Sequence, residues 1–213
     1  MSKATADRRI WDISQKLRPG LPVWPGDTAF AAARTWQMED GSPVNVSALT
    51  LSTHSGAHAD APLHYSPDGD DIASVSLEPF IGECLVVDAR DVTGEIDVAD
   101  LPDIDSADRV VFRTYERFPH DEWDAAHIPI SPETIEWLAV QGVKLVGMDG
   151  PSLDPQDSKD MLAHKAVLAA DMRVLEGLVL DDVEPGRYEL IALPLPIVAG
   201  DASPVRAILR ELG

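Results

Sequence analysis

The sequence predicts an α/β domain with a mainly β core and few helices. Three observations carry that reading. Short apolar runs separated by turn residues, the pattern of strands, outnumber windows with helical spacing. The two helical windows, at 131–142 and 160–169, both fall late in the chain. A length of 213 residues with 45% hydrophobic content is enough for one sizeable core, so a single domain over 1–213 is expected.

In chain order, residues 10–14 read as a short strand. Residues 19–27 hold three prolines and two glycines and exclude regular structure. Trp24, inside that stiffened segment, is either a plug at the end of the fold or a flat wall for an aromatic ligand. Residues 44–53 alternate in part, with Val44, Val46 and Ala48 on one side and Asn45 and Ser47 on the other, as in a strand with one wetter face. A turn is expected at 66–71, a strong strand at 80–89, a short turn of helix at 97–101 and a strand at 109–114. Residues 115–130 have no periodicity and read as a long surface loop, of the kind that forms lids or subunit contacts.

Ser131, Pro132 and Glu133 then supply an N-cap, a proline at the first helical position and an acid in the first turn. That helix carries Ile135, Leu138 and Ala139 and stops near Gly142. A strand follows at 144–148, and a second helix at 160–169 with Met161, Leu162, Lys165 and Leu168 in spacing. Strands at 173–175, 189–193 and 205–212 complete the chain.

Net charge is −20, from 37 acidic and 17 basic residues spread along the chain. Such a surface repels phosphate backbones, which excludes a nucleic-acid role. No segment reaches the ~20 apolar residues of a membrane span. The charged start, residues 1–9, leads into no apolar stretch, so no secretory signal and a cytoplasmic location are expected. The one cysteine, Cys84, excludes an internal disulfide and lies in a strand-like run as core filler.

Chemistry concentrates in residues 54–64, His-Ser-Gly-Ala-His-Ala-Asp-Ala-Pro-Leu-His. Three of the six histidines and one aspartate share eleven residues, and Gly56 and Pro62 break any long helix. The expectation is a shaped loop that aims imidazoles and a carboxylate at one point, as in a Zn²⁺ or Mn²⁺ site. His54, His58 and Asp60 are the candidate ligands, and Asp60 has two oxygens with which to bridge a metal pair. His64 is either a fourth ligand or a free base beside metal-activated water. Ser52 or Ser55 as a nucleophile is disfavoured, because no G-x-S-x-G turn occurs. Downstream, His164 on the second helix and Glu176 in an apolar run are either satisfied structural groups or a second metal position.

On these residues the chain resembles the cyclase-like metal-dependent hydrolases. Their hallmark H-x-G-T-H-x-D-x-P-x-H is matched from His54 to His64, with Ala57 where Thr is usual. Trp11-Asp12-Ile13-Ser14, Pro22-Val23-Trp24-Pro25-Gly26-Asp27, Ser52-Thr53-His54 and Pro151-Ser152-Leu153-Asp154 extend the resemblance across the chain, closest to the formamidase branch. Gly150 departs from that branch, where Thr is common. The resemblance implies a swivelling β/β/α fold and a homodimer. It also implies metal-dependent hydrolysis of N-formyl-L-kynurenine to L-kynurenine and formate. His54, His58 and Asp60 would bind one Zn²⁺, and Asp60, His164 and Glu176 a second. His64 would be the catalytic proton carrier, and Trp24 would line the substrate pocket. The alternatives are another hydrolase of the same family, acting on a cyclic amide such as isatin, and a metal-binding protein with a closed shell and no activity.

Overall fold

The computed structural model describes residues 8–104 and 106–213. Of the charged start, residues 1–7 lie outside the described residues. The elements in chain order are β1 (Ile10–Asp12), β2 (Ala31–Trp36), β3 (Val46–Thr50), β4 (His58–Asp60), β5 (Ile81–Asp88), β6 (Arg109–Arg113), α1 (Pro132–Val140), β7 (Leu145–Met148), α2 (Leu162–Ala169), β8 (Arg173–Glu176), β9 (Gly186–Ile191), β10 (Ala202–Pro204) and β11 (Ile208–Arg210). Nine strands form one mixed sheet in the order β1-β11-β9-β5-β6-β7-β8-β4-β10, and β2 pairs with β3 apart from it. The central strands β5 to β8 are parallel, and both flanks are antiparallel.

A parallel strand covered on both faces reads as an unbroken apolar run, and β6 is buried at every position. Successive residues serve different cores. Val111 joins Leu145, Leu175, Leu190 and Leu209 on one face; Val110 and Phe112 join Val146 and Val174 on the other. The first core also takes Ile13 from beyond β1 and Ala57, Ala59 and Ala61 around β4, so the sheet curls until its two flanks meet over that face. The second face is covered by the two helices, through Ile135 and Leu138 of α1 and Ala163 and Val167 of α2. Each large side chain buried this way contributes about 1.5–3 kcal/mol before entropy. α1 begins as its sequence signals: the Ser131 hydroxyl accepts from the Thr134 N–H, and Pro132 stands at the first position.

Several expectations need correction. The histidine segment is not a loop throughout, because His58–Asp60 is strand β4, held between β8 and β10. The interposed alanines, with no side chain to crowd a curled sheet, make that pairing possible. β2 carried no strand signal in our reading. Its partner β3 has no drier face, since every residue of both strands is exposed. The strand expected at 205–212 is only three residues long, β11, seated between β1 and β9, and β10 precedes it at the far edge of the sheet. Helix α2 starts two residues late and buries Ala163, His164 and Val167, leaving Leu162 exposed. The hydrophobic spacing had selected the wrong face, because a histidine occupies the inner one. The segment 115–130 is irregular as expected but not merely superficial, with Phe118, His127 and Ile130 buried.

Cys84 is fully buried in β5, and burial pushes its thiol up to about 12. The thiol therefore stays protonated and shielded at any ordinary pH. At pH 8 the folded protein should give no signal with a chromogenic disulfide reagent and one thiol per chain after urea unfolding; fast reaction of the folded form would contradict this packing.

Candidate metal centre and its cavity

The centre is built by strand register. β4 runs antiparallel to β8 with His58 opposite Glu176 and Asp60 opposite Val174. Side chains alternate along a strand, so His58 and Asp60 share a face while Ala59 and Leu175 pack into the core on the other. Helix α2 covers the face that Asp60 occupies and delivers His164 to it. His54 arrives through a tight turn just before β4, where the Ser55 N–H donates to the Ser52 carbonyl and the His54 N–H to the Ser52 hydroxyl.

Asp60 lies at the middle with no exposure. Its Oδ1 faces His54 Nδ1 at 3.2 Å and His58 Nε2 at 3.5 Å. Its Oδ2 faces His164 Nε2 at 3.3 Å. Glu176 closes the ring, with Oε2 3.3 Å from His58 Nε2 and Oε1 3.4 Å from His164 Nε2. The outer nitrogen of each imidazole is committed elsewhere. His58 Nδ1 donates to the Gly56 carbonyl (2.9 Å), His164 Nδ1 to Asp154 (2.6 Å) and His54 Nε2 to Asp201 (3.1 Å). Carbonyls and carboxylates only accept, so these bonds fix the tautomers and turn three lone pairs inward.

Inward-facing lone pairs beside carboxylate oxygens repel one another unless cations lie between them. Consistent with that, His58 Nε2, His164 Nε2 and both Asp60 oxygens are buried without a hydrogen-bond partner. Neutral imidazoles, a bridging carboxylate and a second carboxylate suit divalent zinc or manganese. Among the described residues, His54, His58 and Asp60 converge closely enough to hold a metal ion, and Asp60 and His164 converge with His64 in the same way. Without metal, protons take up the strain. Burial alone lowers the affinity of His54 for a proton, but Asp60 and Asp201 overcome this and raise it to about 9. Burial likewise works to raise Asp60, while His164 and His54 hold it well below the ordinary carboxylate range.

His64 stands outside this inner set. It sits on the single turn Pro62–His64, its ring 4.2 Å from that of His54 and 6.0 Å from that of His164. A cavity of about 670 Å³ reaches His54, His58, His64, His164 and Glu176. Asp60 is sealed beneath. Trp24, Phe118 and Trp123 form the apolar wall, with the two indoles edge to face at 5.4 Å. The 115–130 segment is tied to this wall by Asp149. That carboxylate accepts from the Thr114 N–H and hydroxyl and from the Tyr115 N–H. Burial nonetheless pushes Asp149 up to about 6.

The sequence reading assigned no role to Asp154, Asp201 or Trp123. Asp201 carried the same signal that singled out Glu176, an acid beside a glycine between apolar runs. Asp154 lay inside a matched segment. Trp123 had no signal beyond being one of five tryptophans.

Imidazoles and carboxylates so arranged, beside a cavity open to a small molecule, define a metal-dependent hydrolase. Residues 11–155 match the Cyclase family. The chain is 69% identical over 212 residues to a kynurenine formamidase of Erythrobacter litoralis, covering 100% of this chain and 98% of that one. A kynurenine formamidase of Maricaulis maris is 57% identical over 206 residues, 96% of this chain and 99% of that one. A solved structure described as a potential metal-dependent hydrolase with cyclase activity superposes with a TM-score of 0.84 at 28% identity, over 97% of this chain and 99% of that one. The chain belongs to the Cyclase family.

One glycine fixes how closely the two halves of the centre approach. Gly177, next to Glu176, has φ of +65°, and a Cβ there would come within 2.7 Å of the Gly56 carbonyl oxygen. Gly177→Ala is expected to destabilise the fold by about 1–3 kcal/mol in urea unfolding. It should also lower the metal bound per chain, since it parts His58 from Glu176; unchanged stability and metal content would contradict the contact.

Proposed function

We propose that this protein hydrolyses N-formyl-L-kynurenine to L-kynurenine and formate, with two zinc ions per chain held by His54, His58, Asp60, His164 and Glu176. The observation that carries the reading is one cavity that joins those inward-facing donors and His64 to a wall of Trp24, Trp123 and Phe118. Relatives at 57–69% identity bear the name kynurenine formamidase, which supports the same substrate here.

The substrate is an anilide of formic acid, with a flat ring, a small acyl group and a poor amine leaving group. Divalent metal at the centre supplies Lewis acidity and a nucleophilic water at neutral pH. The remaining work falls to the chain. The indole of Trp24, backed by Trp123, holds the aryl ring. Asp60 is buried beneath the floor of the cavity, where the small formyl group would lie. Water adds to the formyl carbon, and as the C–N bond breaks His64 hands a proton to the aryl nitrogen. Formate and the free amine leave through the cavity mouth, and no bond to the protein forms.

We further propose that residues 1–213 act as one domain, in the cytoplasm and as a homodimer. A chain with a single buried thiol and no disulfide suits a reducing compartment. The β2–β3 hairpin supports a self-association surface, with Trp36 and Leu49 each 57% exposed.

Purified protein should release kynurenine from N-formyl-L-kynurenine and leave isatin far more slowly hydrolysed. Dialysis against a chelator should abolish turnover and Zn²⁺ restore it; full activity of metal-free protein would sink the proposal. His64→Ala should retain its metal while kcat falls by about 10²–10⁴. Loss of metal from that variant would instead place His64 among the ligands.

A further inference from the structure

We propose that Asp201 is the positioning residue of the proton carrier: one carboxylate sets the ring orientation and tautomer of His64 while it fixes His54. The inference rests on the role given to His64 above.

Asp201 is placed by the sheet. It immediately precedes β10, whose Ala202 pairs with Asp60 on β4. Its carbonyl accepts from the Ala61 N–H at 2.9 Å, and the neighbouring Gly200 carbonyl accepts from the Ile72 N–H. Backbone on both sides of the side chain is therefore pinned. The carboxylate is also held: Oδ1 accepts from the Thr53 hydroxyl at 2.8 Å and Oδ2 from His54 Nε2 at 3.1 Å. That same Oδ2 lies 3.6 Å from His64 Nδ1. This separation exceeds a hydrogen bond, but a small rotation of the His64 ring, which is partly exposed and borne on a single helical turn, closes it.

The other imidazoles of the centre show what sets Asp201 apart. His58 leans on the Gly56 carbonyl and His164 on Asp154, and neither acceptor reaches a second ring. Of these three outer acceptors only Asp201 faces two imidazoles, whose ring centroids are 4.2 Å apart. Among the described residues it is the one carboxylate within ion-pair distance of a His64 ring nitrogen.

The chemistry follows from the geometry. An Nδ1–H directed at Asp201 leaves the Nε2 lone pair of His64 to take up the proton that the attacking water gives up as it adds to the formyl carbon. The imidazolium so formed carries its charge beside a carboxylate. The proton then passes from Nε2 to the aryl nitrogen as the C–N bond breaks. Asp201 stays ionised throughout and transfers no proton, which is the role of an orienting carboxylate in acyl transfer.

The test uses zinc-loaded, full-length protein. ¹⁵N NMR of the histidine rings should show His64 as the Nδ1–H tautomer in the wild-type protein and a shift toward Nε2–H in Asp201→Asn. This readout needs no substrate. If N-formyl-L-kynurenine is not turned over at all, the substrate assignment fails while the tautomer still decides the role of Asp201. With that substrate, Asp201→Asn should lower kcat by about 10–100-fold, with KM within about two-fold and metal content unchanged. In a His64→Ala background the same change should cost less than about two-fold further, because Asp201 acts through His64. An Nε2–H tautomer in the wild-type protein overturns the proposal. So does an equal loss of kcat with and without His64, or loss of metal in Asp201→Asn, either of which reduces Asp201 to a support for His54. Thr53→Val, which frees the carboxylate without altering its charge, should reproduce a smaller loss of kcat; full activity there counts against a fixed carboxylate.

Discussion

Everything at this centre follows from one constraint: the Asp60 carboxylate has no access to water and no hydrogen-bond donor of its own. An isolated buried charge of that kind costs many kcal/mol, and a fold keeps it only by surrounding it with positive charge. Three imidazoles approach its two oxygens from different elements, and a second carboxylate lies beyond them. Protons hold the cluster together in their absence of better partners, and divalent cations hold it better. The same property that makes Asp60 unfavourable as a structural residue suits it to a metal site.

The sheet converts that constraint into geometry. A strand puts residues two apart on one face, so His58 and Asp60 reach the centre together while the alanines between and beside them fill the opposite core. Antiparallel register then sets Glu176 against His58, and the β10–β4 pair sets Asp201 near the rim. A slip of one residue in either pairing would send His58 and Asp60 into the hydrophobic core. The β10–β4 pairing and the close passage of Gly177 over Gly56 therefore guard the chemistry as well as the fold. Outer hydrogen bonds do the same for the rings, each imidazole being satisfied on its far nitrogen and left open on its near one.

Much of this was legible from residue types. Three histidines and an aspartate in eleven positions announce a metal site whatever the backbone does, and Ser131-Pro132-Glu133 announces a helix start by its own local bonds. What could not be read was set by distant partners. His58–Asp60 looks like loop because Gly56 and Pro62 flank it, and it becomes strand only through β8 and β10, more than a hundred residues away. Helix α2 misled for a related reason: its inner face is chosen by His164 reaching Asp60, while Leu162 is left outside. Asp201 was missed because its meaning lies in two imidazoles remote from it in sequence. β2 was missed because its exposed alanines give no alternation to detect.

The division between strand and loop also separates chemistry from selectivity. His58, Asp60 and Glu176 sit on strands and His164 on a helix, each locked by regular hydrogen bonding. The aromatic wall comes from irregular segments instead: Trp24 from the proline-stiffened 19–27 stretch and Phe118 and Trp123 from the 115–130 segment, which Asp149 ties down at its start. Rigid elements hold donors to within the tolerance that a metal requires, and loops tolerate replacement. A different acyl compound could then be accommodated by re-forming those two walls without moving a single donor around Asp60. Trp24 and Trp123 touch each other within that wall, so neither segment can be reshaped alone. On the proposed reading, substrate choice in this protein depends on a contact between two loops, and the capacity for hydrolysis on a register between strands.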